Sequence, residues 1–238
     1  MITQSYVRTA GLLYLIIAVF GAFAIAYVPS VIIEAGDAAT TANNLLANKT
    51  LFNMGLFSDV VVLWAEVTLT AMLYTMFKPV SPTLSLIAAW SRLAMILVMA
   101  INLLINITPV FLLSGTAYLS AFEPAQLQAT ALVFFEAHGY GVYIWQLFFG
   151  PHLLVLGYMI LKSDLFPKVL GGMMLIGSFG YTIQALVELM HIENMVLSFA
   201  VIGLLTIVTI GELSFAFWLL IKGINLPSEQ GNHENCHQ

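Results

Sequence analysis

The run HGYGVYIWQLFFGPHLLVLGYMILKSDLFPKVLG, from His138 to Gly171, decides the fold. Between Gly139 and Leu161 it holds 23 residues without a charged side chain, with His152 past the middle. At about 1.5 Å per residue such a helix is about 35 Å long, enough to cross a bilayer core of about 30 Å. A short polar turn follows from Lys162 to Lys168, and its Pro167 stops one helix before the next begins. The stretch makes lipid the solvent of this chain. It also raises the question of what a histidine does at that depth.

Composition agrees with this reading. Of 238 residues, 61% are hydrophobic and 8% charged, at a mean hydropathy of +0.97. Soluble domains carry about a quarter charged residues, so a water-soluble globule is excluded. The net charge of −5 is dispersed and forms no basic stripe, which argues against a nucleic-acid partner. Cys236 is the single cysteine, so neither an intrachain disulfide nor a thiolate metal cage can form. One membrane domain accounts for nearly the whole chain, with membrane lipid as its first partner.

Taken in order, the chain divides into six apolar spans. Thr9 to Ile33 follows Arg8 without a charge, but it outlasts the roughly 7–15 residues of a signal-peptide core. It reads as a retained first span, in which Ala18, Ala22 and Ala26 form a small-residue face suited to close helix packing. Residues 34–52 are the longest polar insert, where Asp37 is placed to N-cap a short interfacial helix. Ser81-Pro82 starts the third span, and Glu123-Pro124 is expected to start a second interfacial helix leading into the fourth. The predicted spans are 9–29, 55–77, 83–108, 139–162, 168–190 and 195–222, within a domain covering 1–223. Residues 224–238 read as a disordered tail; His233, Cys236 and His237 there are taken as a frayed end, and no metal site is assigned. The fold class is all-α: an integral membrane bundle of six transmembrane helices, with short interfacial helices in the first and third connections.

The positive-inside rule orients it. With the N-terminus inside, Arg8, Lys78, Lys162, Lys168 and Lys222 fall on the cytoplasmic side and only Lys49 on the other. Both termini are therefore expected in the cytoplasm, in a bacterial inner membrane.

Counting from those ends gives depth. Glu66 lies 12 residues before Lys78, Arg92 lies 10 after Pro82, and His152 and Glu212 lie 10 before Lys162 and Lys222. All four sit about 15–18 Å in, near the midplane. An isolated ionised residue there costs several kcal/mol, so mutual pairing is expected, with any proton shared across a coupled set. A second layer, about 28–36 Å from the same side by the same count, holds Asp59, Asn102, His138 and Glu188, with Glu136 and His191 near. Glu188 and His191 form an E-x-x-H pair that could ligate a metal on one helix face, although solvated helix ends explain that layer as well. Three readings of the midplane group follow. It is a structural polar clasp, a ligand or ion pocket with or without proton coupling, or the site of a membrane-embedded enzyme. No catalytic motif, filter segment or inverted repeat accompanies it. The residues name no cofactor and no oligomeric state.

Several pieces together resemble the bacterial domain-of-unknown-function family 4386, small multi-pass membrane proteins. They are Arg8–Tyr14 (RTAGLLY), Gly36–Thr40 (GDAAT), Leu73-Tyr74 with Lys78-Pro79-Val80, and Arg92-Leu93. Phe148–Gly150 with His152, Gly157-Tyr158, Pro167 with Leu170-Gly171, Gly211-Glu212 and Trp218–Gly223 complete the set. Pro151 departs from the pattern, where an aliphatic residue is expected, and Lys162 stands where arginine is commoner. The resemblance implies a multi-pass membrane protein and no particular activity, so no catalytic residue is carried over.

Overall fold

The computed structural model describes residues 2–224; Met1 and residues 225–238, including His233, Cys236 and His237, lie outside them. Among the described residues, six helices are long and apolar enough to cross a membrane. They are α1 (Gln4–Ile32), α3 (Lys49–Phe77), α4 (Pro82–Leu112), α5 (Pro124–Lys162), α6 (Lys168–Leu189) and α7 (Met195–Ile221). The short α2 (Ala38–Ala47) joins α1 to α3. The chain is an all-α, multi-pass membrane bundle, and Trp64 and Trp90, 71% and 66% exposed, lie on the face that lipid covers.

The helices start where side chains satisfy their first N–H groups. Ser81 accepts from Leu84 N–H at 3.4 Å ahead of Pro82, and Asn194 accepts from Leu197 N–H at 3.1 Å. Asp37 caps α2, accepting from the Thr40 backbone N–H at 2.9 Å and its hydroxyl at 2.7 Å. Those bonds, the backbone one foremost, hold the Asp37 carboxyl below the usual carboxylate range. The cap is therefore complete above the ordinary aspartate pKa and is lost as pH falls through the depressed one.

Several elements differ in extent from their sequence reading. Glu123 and Pro124 do start a helix, with the Glu123 N–H bonded to Gln126 Oε1 at 3.0 Å. It is no separate interfacial piece, because α5 runs unbroken for 39 residues. At about 58 Å it is roughly twice the bilayer core, and its first turns project past the core to pack against α2. The short helix of the third connection is instead a 3₁₀ turn, Ala117–Ala121. The first span is also longer than 9–29 and takes a π-helical turn at Phe23–Tyr27. Ile224, read as tail, is buried, and its carbonyl accepts from Gln4 Nε2 at 2.7 Å.

Short connections make consecutive spans antiparallel neighbours, and α7 returns to pack on α1, closing a ring of six. Glycine sets the closest approaches. A Cβ at Gly157 of α5 would lie 2.7 Å from Leu175 N and 2.8 Å from the Gly171 carbonyl of α6. One at Gly11 of α1 would lie 2.6 Å from Leu220 N of α7. The small face read at Ala18, Ala22 and Ala26 does no such packing: Ala18 and Ala22 border a cavity, and Ala26 is exposed. Gly11 brings α7 onto the first turns of α1, and farther along residues of both helices line the cavity.

Inside the ring, the end bearing Lys78, Lys162 and Lys222 is filled by one buried cluster that includes Val7, Leu69, Phe77, Leu153, Phe215 and Leu219. A smaller cluster of Val28, Ile32, Leu45, Phe52 and Phe135 closes the other end beside α2. Between them the ring is not filled.

Because the atoms opposing Gly157 are backbone, Gly157→Ala should lower stability by about 1–3 kcal/mol. Gly172→Ala, where an added carbon meets nothing within 4 Å, should be neutral. Thermal unfolding of both variants in one detergent checks this, and equal midpoints would contradict the close approach of α5 and α6.

Candidate functional site

Arg92, carried by α4 at the boundary between filled core and unfilled space, is 1% exposed. Its Nε donates to Glu66 Oε2 of α3 at 2.6 Å. Its Nη1 donates to His152 Nε2 of α5 at 2.9 Å and to the Tyr14 hydroxyl of α1 at 3.3 Å. The rings of Tyr14 and Phe149 lie 5.2 and 5.6 Å from the guanidinium carbon, close enough for cation–π attraction. Four helices thus meet on one cation. Glu66 and Arg92 form the buried ion pair that their shared depth called for.

The carbonyl behind His152 defines its part. Ala88 O can only accept and lies 2.8 Å from Nδ1, so Nδ1 carries the hydrogen and Nε2 is left to accept from Arg92. His152 is 1% exposed and stacks on Phe149, with ring centroids 5.7 Å apart. It supports the guanidinium and lies outside the lining of the central cavity. Counting placed it level with Glu66, Arg92 and Glu212; the structure sets it behind Arg92, outside the cavity wall.

Glu212 of α7 shares the depth but not this network. Its Oε2 accepts from the Tyr181 hydroxyl of α6 at 3.2 Å, and among the described residues it has no ion-pair partner. A cavity of about 520 Å³ joins the two groups, with residues of all six membrane helices in its wall. The polar part of that wall is Tyr14, Glu66, Arg92, Tyr181, Thr209 and Glu212; Trp145 and Phe149 extend the aromatic part. Among the described residues Arg92 Nη2 and Glu212 Oε1 have no hydrogen-bond partner in the protein. The site therefore offers a small molecule an apolar, aromatic chamber with a few polar contacts on one side.

The second layer divides. Asn102 and His138 bond reciprocally: Asn102 Nδ2 donates to the His138 carbonyl at 2.9 Å, and His138 Nδ1 donates to the Asn102 carbonyl at 3.2 Å. With Asp59 they border a small void that shares Ile25, Met99 and Trp145 with the central cavity. Glu136, Glu188 and His191 are exposed. The E-x-x-H spacing does not act on one helix face, because α6 ends at Leu189 and His191 takes a left-handed φ of 51°. Among the described residues no three His, Cys, Asp or Glu side chains gather as a metal set.

The sequence reading did not single out Tyr14 or Tyr181 as site residues, nor the aromatic wall. Tyr181 lies 13 residues after Lys168, about 20 Å in, so the count that found Glu212 covers it as well. Tyrosine is at home both in a core and in a site, and depth alone does not separate the two roles.

The family described as Domain of unknown function (DUF4386) matches residues 9–223, and this chain belongs to it. A relative from the archaeon Archaeoglobus fulgidus, bearing the name "Uncharacterized protein", is 30% identical over 175 residues. That match covers 73% of this chain and 84% of the relative. No solved structure matches the chain.

Three substitutions rank the contacts. Glu66→Ala leaves Arg92 buried without its counter-ion and should cost about 3–5 kcal/mol. His152→Leu removes one acceptor and should cost about 1–3 kcal/mol, whereas Glu212→Gln, which keeps an acceptor for Tyr181, should cost under about 1 kcal/mol. Unfolding midpoints in a common detergent should fall in that order; a Glu212→Gln protein less stable than Glu66→Ala would reverse the assignment.

Proposed function

We propose that this membrane protein binds a small molecule in its central cavity, held by the polar wall that Arg92, Glu66, Tyr181 and Glu212 form. The supporting observation is the cavity itself, about 520 Å³ at the depth of the buried charges. A purely structural clasp needs no such space, since the filled core toward the lysine end would support the Glu66–Arg92 pair equally well. Small-molecule sites run to about 300–1,000 Å³ with a largely apolar lining and few polar groups, and this chamber fits that description. The distribution of Arg8, Lys78, Lys162, Lys168 and Lys222 supports a cytoplasmic-membrane setting with both termini in the cytoplasm. The void at Asp59 and His138, which shares walls with the cavity, favours a second reading in which proton movement accompanies binding.

Ala18→Phe should place a ring in the chamber and compete with any occupant. In a thermal-shift screen of small amphiphiles on protein in lipid nanodiscs, at least one class should raise the wild-type midpoint and leave Ala18→Phe unmoved. Equal responses from both proteins would remove the cavity from the account.

A further inference from the structure

The charge of the chamber and the place where it opens narrow what it takes. Three charged side chains line it: Glu66, Arg92 and Glu212. Arg92 (+1) cancels Glu66 (−1) through the 2.6 Å contact, so Glu212, when ionised, has no partner cation among the described residues. A carboxylate far from water asks for a positive charge, and the aromatic rings of Trp145 and Tyr181 lie in the same lining.

The opening faces lipid. Val19 of α1 and Leu213 of α7 both line the cavity and are 67% and 38% exposed, so the inner wall continues onto the outer surface between these two helices. Val19 lies 11 residues after Arg8 and Leu213 lies 9 before Lys222, about 16 and 14 Å deep. At that depth the surrounding medium is acyl chain. We infer that the cavity takes a lipid-soluble organic cation, an ammonium group on an apolar body, which enters from the bilayer between α1 and α7 and sets its charge against Glu212. This rests on the small-molecule reading above.

Decylamine, decanol and decanoate share one apolar body and differ in charge at pH 7; ethylamine keeps the charge and lacks the body. Their affinities for full-length protein in phospholipid nanodiscs, corrected with empty discs, test the inference. Decylammonium should bind at least about thirtyfold more tightly than decanol, decanoate or ethylamine, and Glu212→Gln should abolish its preference over decanol, the low end of what losing one member of a buried charge pair costs. Equal or tighter binding of decanol or decanoate, undiminished preference in Glu212→Gln, or ethylamine matching decylamine would each overturn the cationic assignment. Decanol binding as tight as that of decylammonium, and abolished by Ala18→Phe, would do so while leaving the small-molecule reading standing. Binding of none of the four would overturn the inference, and the amphiphile screen would then decide the wider reading.

Discussion

A guanidinium held in lipid constrains everything around it. Arg92 keeps its charge at the midplane only because Glu66 neutralises it and because His152 and Tyr14 take hydrogen bonds it would otherwise give to water. Those partners come from α3, α5 and α1, so rotating any of these helices about its axis strips a contact from the cation. The requirement fixes the azimuth of four helices at once. The Tyr181–Glu212 bond links α6 and α7 more weakly, and there the glycine approaches carry more of the packing. The ring is held by polar chemistry on one arc and by backbone proximity on the other.

This division explains the shape of the interior. The filled cluster toward the lysine end seats Arg92 on dense packing, which keeps its bonds short. On its other side the same residue faces open space, where Ala18, Gly21 and Ala22 of α1 supply little volume to the wall. The clasp and the chamber share a wall, and one guanidinium serves both.

What the sequence made legible follows from what counting measures. Distance from a lysine-marked end gives depth, and depth was enough to group Glu66 with Arg92 before their contact was seen. It gives no rotation, so His152 looked equivalent to Glu212, although the Ala88 carbonyl turns one into a support and the chamber receives the other. The E-x-x-H spacing would need a helix running through His191, and α6 stops at Leu189. The start of α5 was readable from Glu123 and Pro124, but its continuity was not. Gly141 sits within the helix against Asn102, where a Cβ would overlap the amide. The cavity left no mark of its own, since small residues at regular spacing describe a tight interface and an empty one alike.

The ring closes between the first and the last membrane helix, and that has a bearing on biosynthesis. Glu66 and Arg92 lie on consecutive spans joined by residues 78–81, so they can meet as soon as that hairpin leaves the ribosome and enter the bilayer as a neutral pair. Tyr14 and His152 can join before α7 has been translated. A chain halted short of Met195 would hold its ion pair but would have neither the far wall of the chamber nor its unmatched acid. This sixth span both completes the enclosure and brings it the Glu212 carboxyl group.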